Sequence, residues 1–302
     1  MDRIALFGAG KLGTKAFHEY KDNVKCFIDN FKAGTTHLGV RVISLDDFIK
    51  EYGATNVRIL VCVYDFNDIV DKLLKHGIDF SLYPDIYFDT EAVLSRKIAH
   101  EKWPNKLKEL CDVEGNEVLE IGSRVVTGAN FRSLFEYANY TGFDLYDGLN
   151  VDVVGDAHNL SQYFDKQYDL IFCSAVFEHF AMPWIVADEI IKLCKNGGYI
   201  FVETHYSYSS HERPWHFFQF SEQALKVLFS EKRGIRCIEA GVSNPLVGWF
   251  ADESSEYLRR KFVNGLYCHS EFLGQKVADV EMLGWANGTD LNMGMYPQRN
   301  KD

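Results

Sequence analysis

The chain has 302 residues, enough for one large domain or two ordinary ones. Its 47% hydrophobic and 25% charged content is that of a globular protein. A formal net charge of −11 argues against a nucleic-acid backbone as partner, yet allows a small phosphorylated ligand, which a nest of backbone amides can hold inside an acidic protein.

Ile4-Ala5-Leu6-Phe7 reads as a short buried strand. The turn Gly8-Ala9-Gly10-Lys11-Leu12-Gly13 follows, and Leu12, Ala16, Phe17 and Tyr20 keep helical spacing. Residues 24–28 form the next strand and end at Asp29. Ser44 opens a Ser-x-x-Asp capping pattern ahead of Phe48 and Ile49. Residues 59–63 read as a third strand; Ile69, Leu73 and Leu74 then line a helix that Gly77 can stop. Strands alternating with helices imply a parallel sheet covered on both faces. Residues 89–112 are charged, break at Pro104, and are expected to form a pair of linking helices. A second alternating unit occupies residues 113–248, with a helix over 184–194 stopped by Asn196-Gly197-Gly198 and a strand over 199–203. Residues 254–283 read as mainly helical, and the Gly/Asn-rich tail has little periodicity. The expected fold class is α/β: two Rossmann-like three-layer domains, at 1–88 and 113–248, with a helical linker at 89–112 and a helical C-terminal extension over 249–302.

The seven cysteines are scattered, with no Cys-x-x-Cys pair, and read as reduced core thiols of a cytoplasmic protein. The first residues lead straight into a strand, so no signal peptide is expected, and no apolar run is long enough to span a bilayer.

The second unit carries the richest pattern. At Glu120-Ile121-Gly122-Ser123 the chain leaves a strand, and Gly122 lets backbone pass close to a ligand. Asp144 ends the next strand, where a carboxylate can accept both hydroxyl protons of a ribose. Asp156 follows a third apolar run and is placed to accept from an adenine amino group, with Ala157 and His158 offering main-chain and edge contacts to the ring. Carboxyl ends of parallel strands are where open α/β sheets bind such ligands. The runs Val-Leu-Glu-Ile-Gly, Gly-Asp-Ala-His-Asn-Leu, Tyr-Asp-Leu-Ile-Phe-Cys-Ser-Ala-Val-Phe-Glu-His and Lys-Asn-Gly-Gly-Tyr-Ile-Phe-Val-Glu, within residues 118–203, resemble a class I S-adenosylmethionine-dependent methyltransferase of the small-molecule type. The resemblance implies a seven-stranded sheet whose last strand is antiparallel. It also implies donor contacts at Glu120, Gly122, Ser123, Asp144, Asp156, Ala157, His158, Ser174 and Ala175. Where the family usually has a second glycine, this chain has Arg124, which is a candidate for the methionine carboxylate. His179 is expected to pack beside the donor.

Methyl transfer is an in-line displacement that must align an acceptor and, for a hydroxyl, remove a proton. The segment after the fifth strand supplies suitable groups. His205, His211 and His216 are candidate bases, since imidazole is poised near neutral pH. Tyr206, Glu212, Arg213, Trp215 and Phe218 are candidate acceptor contacts, with Arg213 suited to phosphate or carboxylate. His211 and Glu212 after His205 offer metal-ligand types, but the third ligand has no place in this segment, and no metal is expected.

In the first unit, Gly8, Gly10 and Gly13, with Lys11 and Leu12 at the start of a helix, form a phosphate-binding fingerprint in its proper strand–helix context. Asp29 stands where a ribose acid would. NAD binding is one reading. Residues 3–85 also resemble the small Rossmann-like domain attached to bacterial sugar-modifying enzymes, which implies a nucleotide-sugar or similar ligand; a docking or dimerisation domain is the third reading. The expectation for the whole chain is O-methylation of a sugar-linked or phosphorylated metabolite in surface-polysaccharide biosynthesis, with S-adenosylmethionine as cofactor and a homo-oligomer allowed. The alternatives are a regulatory nucleotide-binding protein and an NAD(P)-dependent oxidoreductase.

Overall fold

The structure is a computed structural model that describes residues 3–53, 57–87, 92–259, 261–281 and 284–285. It divides into two compact units, Met1–Glu91 with Pro245–Leu266, and Ala92–Asn244 with Tyr267–Asp302.

In the first unit β1 (Arg3–Phe7), α1 (Lys11–Tyr20), β2 (Val24–Ile28), β3 (Thr36–His37), β4 (Val40–Ile43), α2 (Leu45–Tyr52), β5 (Val57–Val61), α3 (Asn67–Lys75) and β6 (Phe80–Leu82) follow in order. The six-stranded sheet has the order β3-β4-β2-β1-β5-β6. All neighbours are parallel except β3 and β4. Parallel strands covered on both faces are apolar throughout: Ala5, Leu6, Cys26, Phe27, Ile28, Ile59 and Val61 are all buried. Ser44 caps α2 as the sequence suggests, its hydroxyl accepting from the Asp47 amide at 3.0 Å.

The chain runs from β1 to β2 on one side and later places β5 on the other side of β1. Gly8 therefore sits at the topological switch point, where such sheets bind ligands. A Cβ on Gly13 would lie 1.9 Å from the Gly8 carbonyl oxygen, so α1 can seat on the turn only because residue 13 is glycine.

The second unit begins with α4 (Trp103–Cys111), β7 (Glu117–Ile121), β8 (Asn139–Asp144), β9 (Val153–Val154) and β10 (Tyr168–Ser174). It continues with α5 (Pro183–Leu193), β11 (Cys194–His205), α6 (Glu222–Leu228), β12 (Ile235–Trp249) and β13 (Phe262–Lys276). Its seven strands lie in the order β12-β13-β11-β10-β7-β8-β9. β13 runs antiparallel to β11, pairing from Tyr199 with Gln275 to His205 with His269. The seven strands and the antiparallel last strand are those the resemblance implies. One face packs Phe177, Val186, Ile190, Leu225 and Phe229; the other packs Trp103, Phe135, Phe172 and Phe201. The Lys276 amine, buried at the end of β13, donates to the carbonyls of Ile191 (2.9 Å) and Cys194 (3.0 Å), tying that strand to the C-terminal end of α5.

Two expectations are corrected. The segment read as a helical C-terminal extension contains the 15-residue strand β13. Its apolar residues suit a helix by spacing, but pairing with β11, distant in sequence, decides its conformation. Residues 89–112 hold one helix among the described residues, α4, rather than a pair, and Ala92 onward belongs to the second compact unit. Residues 286–302 of the tail lie outside the described residues.

Gly13→Ala is expected to lower stability by about 1–3 kcal/mol through overpacking against the turn. Urea unfolding measures this, and an unchanged midpoint would show that α1 does not rest on Gly8.

Candidate active site

The second unit collects its polar groups at the carboxyl ends of β7, β8, β10 and β11. Gly122 follows β7 with φ +79°, and a Cβ there would meet Val176 Cγ2 at 2.2 Å. The turn after β7 and the turn after β10 are thus in direct contact, and glycine is required for it. Ala175, with φ +53°, starts the second turn; its amide donates to the Glu203 carbonyl at 3.0 Å, and the Ser174 hydroxyl donates to Glu203 Oε1 at 2.8 Å.

The expected donor residues fall into place unequally. Asp144 ends β8 with its carboxylate largely covered. It accepts from the amides of Tyr146 (3.0 Å) and Arg124 (3.3 Å), while Arg124 Nε lies 3.5 Å away. Arg124 therefore closes over Asp144.

His158 Nε2 accepts from the Met182 amide at 3.2 Å, which puts the ring proton on Nδ1, 2.6 Å from Asp156 Oδ1. Burial opposes the Asp156 charge, but the backbone and ring hydrogen bonds from His158 outweigh it and hold this carboxyl below its usual range. Ala157 is buried beside them.

Two further expected contacts, Glu120 and Ser123, have buried side chains. The Glu120 side chain is buried and accepts a hydrogen bond from the Tyr140 hydroxyl, which in turn accepts from Asn150 Nδ2 at 3.0 Å. Burial pushes its carboxyl up to about 7. The Ser123 hydroxyl is buried without a hydrogen-bond partner, against the position a Gly142 side chain would take.

The histidines expected from sequence do come together. Ring centroids of His205 and His211 are 5.2 Å apart, and those of His211 and His216 4.7 Å. His179 joins this group, 4.9 Å from His211; its Nδ1 donates to the Trp215 carbonyl at 3.0 Å. His216 is held below its ordinary range by burial and then by the neighbouring His211 and His179.

Beneath them lies a group that pattern reading did not single out. Glu178 is fully buried, Thr204 Oγ1 donates to its Oε2 at 2.7 Å, and its Oε1 lies 2.9 Å from His205 Nδ1. That last approach is too bent for a hydrogen bond, and neither atom has another hydrogen-bond partner. Burial favours a neutral Glu178, but His205 and Thr204 more than offset this and keep the carboxyl below its usual range.

Tyr208, also missed, stacks on His205 with centroids 4.5 Å apart. The sequence signal for Glu178 was the Phe-Glu-His run itself, in which the acid precedes the histidine.

Of the expected acceptor contacts, Trp215 and Phe218 are exposed. Glu212 Oε2 lies 3.8 Å from His179 Nε2, and Arg213 Nε donates to Ser210 Oγ at 2.8 Å. Tyr206 instead turns edge-on to Tyr267, with centroids 6.1 Å apart.

In the first unit, the structure brings Asp29 to the glycine turn. Its carboxylate accepts from the amides of Ala9 (3.1 Å), Phe31 (3.0 Å) and Lys32 (3.2 Å), so this acid braces the turn. Gly10 stands before α1 with open space around it, and Lys11 and Leu12 begin the helix.

Residues 95–240 match a family model described as a methyltransferase domain. The match supports a methyltransferase domain in this part of the chain, with S-adenosylmethionine as its cofactor, and it starts within the span expected to be a linker. Among solved structures, TehB from Haemophilus influenzae is similar at 16% identity and TM-score 0.39, covering 60% of this chain and 63% of that one. YcgJ from Bacillus subtilis is similar at 16% identity and TM-score 0.41, covering 59% of this chain and 99% of that one. The plantazolicin methyltransferase BamL, in complex with a desmethyl analogue and SAH, is similar at 18% identity and TM-score 0.39, covering 58% and 82%. This chain thus spans less than two thirds of TehB. No curated protein matches the sequence.

Glu120 has a stability signature. Its carboxyl titrates near 7 when folded, above the ordinary 4.5, so the folded chain holds more protons between these values and stability falls as pH rises through them. Glu120→Gln removes this loss. Relative to the parent it is expected to gain on the order of 2–3 kcal/mol between pH 4.5 and 8. Urea unfolding at the two ends of that range measures the difference, and a constant offset would refute the buried neutral acid.

Proposed function

We propose that the chain transfers the methyl group of S-adenosylmethionine to an oxygen of a small acceptor, a sugar-linked or phosphorylated metabolite. The observation that carries this reading is the buried Glu178 carboxylate set against His205, on the edge of the sheet where the Gly122 and Ala175 turns meet.

The ribose of the donor is assigned to Asp144 and its adenine to the Asp156–Ala157–His158 turn. Ribose hydroxyls donating to Asp144 replace Arg124 as its partner. His205 takes the acceptor hydroxyl proton, and Glu178 stabilises the resulting imidazolium, since a carboxylate beside a cation in a buried site is screened little by water. The oxygen attacks the methyl carbon in line, and the carbon–sulfur bonding pair returns to sulfur, leaving a neutral thioether. His211 and His216 border the same space and take the proton if His205 does not.

Arg213, with the exposed Trp215 and Phe218, suits a phosphate beside a sugar ring, which can lie on an aromatic face. The glycine turn of the first unit is assigned to a nucleotide or nucleotide-sugar. An open Gly10 at a helix start supports this, as does the resemblance of residues 3–85, which also underlies a place in surface-polysaccharide biosynthesis.

Titration calorimetry is expected to show S-adenosylmethionine binding, weakened about 10–100-fold in Asp144→Ala through loss of charge-assisted hydrogen bonds. Unchanged affinity in that variant removes Asp144 from the ribose site. With nucleoside diphosphate sugars as acceptors, release of S-adenosylhomocysteine is expected to slow roughly 10²–10⁴-fold in His205→Ala, with donor affinity retained. Full turnover in both His205→Ala and His211→Ala would show that neither is the base.

A further inference from the structure

We infer that Glu178, His205 and His211 form a binding site for one divalent transition-metal ion of the zinc class, at the place where the acceptor oxygen is held. Their ligand atoms all lie within 4.8 Å of one another. They come from three places that the fold converges: the turn after β10, the last residue of β11, and the loop beyond it.

Two of the three ligand atoms are buried and otherwise unsatisfied. Glu178 Oε1 and His205 Nδ1 face each other at 2.9 Å without a hydrogen bond between them or to any other group. Buried polar atoms are almost always paired, and a carboxylate oxygen and an imidazole nitrogen side by side are a fitting pair for a cation. At metal–ligand distances of about 2.1 Å, two adjacent octahedral ligands sit roughly 2.9 Å apart and two tetrahedral ones roughly 3.4 Å, so the observed spacing is that of neighbouring ligands.

The outer contacts are those of metal ligands as well. Thr204 Oγ1 fixes the second Glu178 oxygen at 2.7 Å. His211 Nδ1 lies 3.0 Å from the Ser209 carbonyl, which can only accept; the ring proton is therefore on Nδ1, leaving the Nε2 lone pair free to ligate. Ligating histidines characteristically donate their other nitrogen in this way. Two imidazoles and one carboxylate select zinc, iron, cobalt or nickel over magnesium and calcium, which prefer oxygen-only sites.

The inference rests on the methyl-transfer reading for the ion's role, though not for its binding. An acceptor hydroxyl bound to the ion loses its proton to solvent more readily. The oxyanion then forms the O–CH3 bond as the S–CH3 pair returns to sulfur; His205 is a ligand while the ion is bound and the base when it is not.

The test uses the full chain, cleared of metal by a chelator and titrated with Co2+. Visible ligand-field bands are expected to saturate at one Co2+ per chain and to bleach when Zn2+ is added. His211→Ala, on a half-buried loop whose loss leaves the core intact, is expected to abolish these bands, as is the near-isosteric Glu178→Gln. Thr204→Val, which frees the carboxylate without removing a ligand, is expected to weaken binding about 10–100-fold. Absence of saturable Co2+ binding in the parent, or equal binding in His211→Ala and Glu178→Gln, overturns the site. Calorimetry with S-adenosylmethionine on the same samples separates the two readings. Donor binding without Co2+ binding overturns the metal alone; Co2+ binding without donor binding overturns methyl transfer and leaves the metal site standing.

Discussion

The register between β10 and β11 is the constraint on which the site depends. Ser174 pairs with Glu203 at the end of β10, and both its side chain and the next amide are bonded to that one residue. With the strand end fixed, Ala175 must turn back in the left-handed region, which drives Val176 onto Gly122 and Glu178 under His205. A slip of one residue would exchange the faces of every later side chain in the strand. Glu178 would then leave the interior, and the turn would no longer meet Gly122. Donor crevice and histidine group are two consequences of one pairing.

The same edge of the sheet concentrates acids to an unusual degree. Glu203 faces Glu271 directly across β11 and β13, and both are buried. Two carboxylates so placed cannot share full charge cheaply. Burial, with Glu203 adding to it, pushes Glu271 up to about 7, while it accepts from Ser95 and Ser243. Glu203 is matched by His100 at 2.8 Å; that hydrogen bond outweighs desolvation and holds the His100 imidazole above its ordinary range. Next in line, burial pulls His269 down to about 4, leaving it a neutral ring stacked on His100. Protons along this edge thus follow pairing and burial, which favour neutral Glu271 and His269 and a charged His100. Glu178 is the acid whose partner contact remains geometrically incomplete.

Elements built by local rules were legible in the sequence. The glycine turns, the Ser44 cap, the strand end at Asp144, the turn at Asp156, and the helix halted before Gly197 all follow from residues within a few positions of each other. What escaped was decided by contacts between distant residues. β13 pairs with β11 across an interval that includes α6 and β12, and no local pattern announces that its Phe262, Tyr267 and Phe272 belong to a strand. Within the site, the hydrogen bond of Glu120 to Tyr140 on β8 is likewise a contact between distant residues that local pattern does not announce. Glu178 was visible as a letter beside His179, yet its importance arises only from the sheet register that brings it to His205.

The choice between base and metal ligand for His205 turns on how its contact with Glu178 is made. A carboxylate that serves to orient a catalytic imidazole does so through a straight hydrogen bond, because that bond fixes both tautomer and ring plane. Here the approach is close but bent, and the ring is oriented from its face, by Tyr208 stacked against it. Glu178 is oriented independently, through Thr204. Each partner is therefore held by a third group, and neither positions the other. Glu178 Oε1 and His205 Nδ1 lie 2.9 Å apart, and His211, with its proton engaged by Ser209, brings a third ligand atom within 4.8 Å. A proton can satisfy only one line between two atoms; an ion set among the three can satisfy all of them. The bent contact is also a geometry that adjacent ligands of a single cation adopt.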